Sequence, residues 1–213
     1  SYTVNQAGAG QVCTVVPAAP AAEPVTNCVV SGLTNGTNYA FTVRAVNSAG
    51  TSQSSGLSTP VSPRTVALAP TSVTDAARNA GATISWNAPA SDGGSAVTGY
   101  KVFASPGDLQ VCTVNITPPL LEPATNCIAN GLVNSTPYTF TVKAVNAAGD
   151  SLPSAPSPTV TPDGVAPTAA MVAPSGVFQM GQTIGLTWSA SDAGTGVQNT
   201  DVRYFRVRAG GGT

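Results

Sequence analysis

Polar and apolar residues alternate one by one along several stretches of this chain. In residues 138–145, YTFTVKAV, Tyr138, Phe140, Val142 and Ala144 fall on one side and Thr139, Thr141, Lys143 and Val145 on the other. A period of two is the signature of a strand with one buried face. Residues 82–89, ATISWNAP, place Ile84 and Trp86 on a common face and stop at proline. Residues 91–105 read as a Gly-rich turn and then a strand with Tyr100, Val102 and Ala104 aligned. No stretch of helical length carries an apolar stripe at 3.6-residue spacing. The pattern predicts an all-β chain.

The same text is written twice. NCVVSGLTNGTNYAFTVRAVNSAG (27–50) returns as NCIANGLVNSTPYTFTVKAVNAAG (126–149), and the match extends without a gap from Cys13–Pro63 to Cys112–Pro162. It keeps Cys13/Cys112, Glu23/Glu122, Cys28/Cys127, Tyr39/Tyr138 and Asn47/Asn146. Further upstream SYTV (1–4) resembles GYKV (99–102), with a one-residue slip before the first cysteine. So long a period is wrong for a solenoid unit and suits one small β-sandwich per repeat.

These residues resemble the fibronectin type III family in its bacterial secreted form. The resemblance rests on Trp86 in a second strand, DGGSAVTGY (92–100) leading into a third, Leu132 six residues before Tyr138, and YTFTVKAVNAAGDSLPSAPS (138–157). It implies tandem immunoglobulin-like sandwiches with Trp86, Trp188, Leu33 and Leu132 in the cores. It also implies tyrosine corners at Tyr39 and Tyr138, in which the ring hydroxyl ties back to backbone. Residues 1–63 match the later part of such a domain, 64–162 a complete one, and 163–213 the opening of a third, more divergent Ig-like or fibronectin-like domain. Within that third part, TIGLTWSASDAGTGV (183–197) supplies Trp188. The terminal domains are therefore expected to be incomplete. Either a longer array completes them, or the opening strands of one molecule complete the first domain of the next and build a head-to-tail filament.

The same resemblance implies two disulfides, Cys13–Cys28 and Cys112–Cys127, each joining strand C′ to strand E. Zinc usually asks for closely spaced ligands that often include histidine, and the chain has no His. Redox chemistry asks for C-x-x-C, which is absent. Structural disulfides point to an oxidising exterior, so the expected location is extracellular, at a cell surface or secreted.

Composition narrows the chemistry. Charged residues make up 8% of the chain, against roughly a quarter in ordinary domains. Net charge is −1, and the short cluster Arg203, Arg206 and Arg208 is too small for a nucleic-acid face. No apolar run reaches the roughly 18 residues that span a membrane. Without His the commonest general base is missing, so no catalytic residues are expected. Glu23 and Glu122 read as loop residues in different domains. Asp192 and Asp201 flank DAGTGVQNTD and are the candidates for calcium; otherwise no cofactor is expected. The expected function is a structural spacer, stalk or fibre whose partners are neighbouring domains of the same or an identical chain. The alternatives are a module binding a glycan or cell surface, an accessory to a secreted polysaccharide-active enzyme, and a virion appendage.

Overall fold

The structure is a computed structural model that describes residues 1–18, 25–117, 120–172 and 185–192. Every regular element among them is a β-strand. The chain opens with β1 (Tyr2–Gln6), β2 (Gly10–Val15), β3 (Phe41–Asn47) and β4 (Gly50–Thr51), which form one antiparallel sheet in the order β2-β1-β3-β4.

Seven strands then build a complete sandwich: β5 (Thr71–Arg78), β6 (Gly81–Asn87), β7 (Gly99–Ser105), β8 (Leu109–Asn115), β9 (Asn126–Asn130), β10 (Thr139–Asn146) and β11 (Gly149–Asp150). One sheet has the order β5-β6-β9 and the other β11-β10-β7-β8. The alternation in the sequence becomes a single core between them. Val73, Ala82, Ile84, Trp86 and Ala129 come from the first sheet. Tyr100, Val102, Phe140, Val142 and Ala144 come from the second. Across the layers the rings of Trp86 and Tyr100 meet edge to face, with centroids 5.2 Å apart. A β12 (Thr168–Val172) and β13 (Thr187–Ser191) hairpin follows.

The four-stranded sheet of the opening segment copies half of this sandwich. In β1 and β2 the register shifts after Val4, and in β7 and β8 it shifts after Val102, so even the bulge is repeated. The slip seen in the sequence lies in the hairpin turn, which is three residues long between Gln6 and Gly10 and four between Ala104 and Leu109. Burial is what differs. Val142 is fully buried, while the equivalent Val43 is 41% exposed, because no second sheet covers β1–β4 among the described residues. The uncovered face leaves a groove of about 300 Å³ lined by Tyr2, Val4, Val15, Val25, Cys28 and Val43.

After β11 the chain runs beside β10 without forming a regular ladder. Ser151, Ser154 and Ser157 each donate their backbone N–H to a β10 carbonyl, of Ala144, Val142 and Phe140 respectively. Their hydroxyl oxygens accept the N–H of the same three residues at 2.9–3.0 Å. Each hydroxyl then donates to the carbonyl of the residue that follows it. Three residues of this strap advance for every two of β10, so backbone carbonyls cannot keep register with the β10 N–H groups. A serine at every third position supplies the missing acceptor. Pro153 and Pro156 fall between them, where no N–H is needed. Ser52, Ser55 and Ser58 do the same for Ala45, Val43 and Phe41.

Replacing Ser154 by alanine strands the buried N–H of Val142. Chemical denaturation is expected to show a loss of about 1–3 kcal/mol, the usual cost of a buried unsatisfied donor. Ser55→Ala, on the exposed copy of the strap, is expected to leave the transition nearly unmoved because water reaches the same N–H. Equal losses at both positions would disprove the register argument.

Candidate functional site

Backbone hydrogen bonds and one asparagine position kept in both copies hold the joint between the opening segment and the sandwich. At the first joint the carbonyl of Pro63 accepts the N–H of Gly36 at 2.9 Å. Two residues later Thr65 donates its N–H to Gly93 at 2.9 Å, and Leu68 donates to Ser91 at 2.9 Å. Proline at 63 restricts φ where the strap ends. The linker is thus tied to the segment before it and to the one after it within three residues.

Asn146, 5% exposed at the end of β10, is the node of this arrangement. Its Nδ2 donates to the carbonyls of Thr65 at 2.9 Å, Asp92 at 2.7 Å and Ser95 at 3.4 Å. Its Oδ1 accepts the N–H of Ala148. One side chain therefore joins the linker, the turn before β7 and the turn after β10. Beside the contact of the turn before β7 with residues 34–37 lies an open groove of about 650 Å³, lined among others by Thr34, Thr37, Thr65, Leu68, Ser91 and Asp92. Its surface holds hydrogen-bonding groups but neither an aromatic ring nor a second carboxylate beside Asp92.

Two more fixtures hold the segments themselves. Tyr138 Oη accepts the N–H of Val133 at 3.2 Å, and Tyr39 Oη accepts the N–H of Thr34 at 2.9 Å. That backbone donor lowers the hydroxyl pKa of Tyr39. Cys112 on β8 and Cys127 on β9 form a disulfide with Cα atoms 6.6 Å apart, stapling one sheet to the other.

The second expected staple is not formed. Cys13 and Cys28 are free thiols, and the Cys28 thiol is pushed up to about 11, first by its hydrogen bond with Cys13, then by desolvation and by the charge of Cys13. The reason lies in the neighbouring strands. Cys127 is held in β9 because β9 pairs with β6, where Ile84 faces it. Among the described residues the opening segment has no strand like β6, and those around Cys28 form no strand.

The same deficit corrects two expected core positions. Trp86 and Leu132 are buried at 4% and 6%, but Leu33 is only half-buried and Trp188 is 46% exposed. Trp188 sits on β13, over which the described residues place no second layer. Tyr100 stays at the core, where burial, and secondarily the charge of Glu122, raise its pKa. Of the calcium candidates Asp192 is described, while Asp201 lies outside the described residues, as do Glu23, Arg203, Arg206 and Arg208. Among the described residues no three acidic, His or Cys side chains gather as a metal cluster, and no helix is long and apolar enough to cross a membrane.

A model of the fibronectin type III domain matches residues 1–61 and 68–160. The chain belongs to the fibronectin type III family. Its fibronectin type III segments are similar to parts of bacterial enzymes. Exoglucanase B of Cellulomonas fimi is 34% identical over 203 residues, which cover 86% of this chain and 17% of that protein. Chitinase A1 of Niallia circulans is 38% identical over 133 residues, 59% of this chain and 17% of that protein. The chain thus spans about a sixth of the length of these relatives. Among solved structures, domains A168–A170 of titin align with a TM-score of 0.49 at 22% identity, over 76% of this chain and 53% of that one.

Proposed function

We propose that this chain is a non-catalytic spacer: fibronectin type III segments that separate functional domains of an extracellular, polysaccharide-active enzyme. The observation that carries the reading is the likeness over 86% of this chain to a minor share, 17%, of exoglucanase B. A spacer also agrees with the surface. Glycan-binding faces present exposed rings, and here Phe103 is half-buried with Lys143 Nζ 5.3 Å from its centroid, while Trp86, Tyr100 and Phe140 are core. Among the described residues Trp188 is the exposed ring, and one ring makes no platform. The Cys112–Cys127 staple supports an oxidising, extracellular setting.

The test is retention on insoluble cellulose and on chitin. A spacer is expected to stay in the supernatant with both. Saturable retention on either would replace the spacer with a binding module.

A second reading adds an identical chain as partner. It is favoured by two faces that the described residues leave uncovered, the apolar side of β1–β4 and the β12–β13 hairpin with Trp188, which are the kinds of sheet that the middle sandwich brings together. Docking one onto the other in a second copy would bury both. Concentration-dependent growth in mass by light scattering supports it, and a constant monomer mass removes it.

A further inference from the structure

The motif DGGS, residues 92–95, stands outside the core and the staple. Its two glycines both adopt left-handed backbone, Gly93 at φ 73° and Gly94 at φ 83°. Each also lies where a side chain has no room. A Cβ on Gly93 would strike the carbonyl oxygens of Thr65 and, at 2.6 Å, of Val66 in the linker. A Cβ on Gly94 would strike the backbone N of Gly36 and come within 2.8 Å of the Asn35 Cβ, both in the preceding segment. From the other side, a Cβ on Gly36 would lie 3.2 Å from the Cα of Gly94.

The repeat supplies an internal comparison. Gly36 and Ser135 are equivalent, both have positive φ, 78° and 64°, and both donate N–H to the proline that ends the strap, Pro63 and Pro162. This turn therefore accepts a serine. Glycine stands at the copy that meets the next segment, where an added Cβ at 3.2 Å from the Gly94 Cα would push on the neighbouring turn.

We infer that the turn at Gly36 is a docking surface for the Gly93–Gly94 turn of the following fibronectin type III segment, and that this backbone-to-backbone contact holds the two segments at one fixed angle. Three features act together. The Pro63 and Thr65 hydrogen bonds shorten the free linker to almost nothing. Asn146 holds the glycine turn in place from behind, through Asp92 and Ser95. The missing side chains let two peptide backbones meet without an intervening layer that could slide. The fitting partner is another segment of this family carrying glycines at the equivalent turn. The inference stands whether the chain is a spacer or binds glycan.

Residual dipolar couplings of the full chain test it. Amide couplings from β1–β4 and from β5–β11 are expected to fit one alignment tensor. Gly36→Ser, a side chain the equivalent turn already carries, is expected to split them into two tensors while leaving the amide shifts of β5–β11 unchanged. Ser135→Gly is expected to leave the common tensor intact. A wild-type chain that needs two tensors, including one whose β1–β4 couplings average toward zero, would overturn the inference. So would a Gly36→Ser chain that keeps a single tensor.

Discussion

Asn146→Asp is expected to cost the complete sandwich about 3–5 kcal/mol, the range for an uncompensated buried charge. The amide Nδ2 serves three carbonyls, and a carboxylate would turn an acceptor toward each of them. At 5% exposure water cannot take over. Protonation would return one donor, so the folded carboxyl has a raised pKa. The loss should then be smallest below about pH 4, near the unfolded carboxyl value, and should grow as pH rises through the interval up to the folded pKa. Trp86 fluorescence in a urea titration reads the transition, since its ring is buried while that of Trp188 is already wet. Asn47 is the control. It is exposed and holds only its own turn, through Oδ1 to Ala49 and Gly50 N–H, so Asn47→Asp should fall within about 0.5 kcal/mol of the parent. Equal effects at the two positions would show that Asn146 is no node.

Removing the staple with Cys112→Ser and Cys127→Ser together is expected to cost about 3 kcal/mol, from the freedom returned to a 15-residue loop in the unfolded chain. A reductant should destabilise the parent by a similar amount and leave the double variant unchanged. Alkylation without reduction should mark two thiols, Cys13 and Cys28, and after reduction four. Labelling of all four before reduction would contradict the bridge. The effect reaches beyond the loop, because β8 and β9 belong to different sheets and have no hydrogen-bonded strand in common. Loss of the bridge frees the edge of the sandwich that carries the exposed residues Leu120, Leu121 and Glu122.

Much of the fold is legible in the sequence because strand patterning is local. Alternation at Phe140, Val142 and Ala144 names the buried face, and all three side chains are inaccessible to solvent. The serine strap was legible too, though only to a reader looking for a period of three. Ser151, Ser154 and Ser157 and their copies Ser52, Ser55 and Ser58 carry it openly. A segment that borrows side-chain hydroxyls to stay beside a strand follows neither the period of two nor that of 3.6.

The joint was not legible in the same way. DGGS reads as a turn, and nothing near it in sequence says that Gly94 lies against Gly36. Nor does the repeat reveal that equal residues meet unequal fates: Val43 is exposed where Val142 is buried, Cys28 is free where Cys127 is bonded, and Asn47 is wet where Asn146 gathers three carbonyls. The all-β class and the duplicated strands could be read from the chain alone, because φ/ψ preference and side-chain alternation act over a few residues. Which copy has a core, a staple and a docked neighbour follows from the packing of layers far apart in the chain. Burial, disulfide approach and backbone contact depend on what another layer of the molecule places opposite.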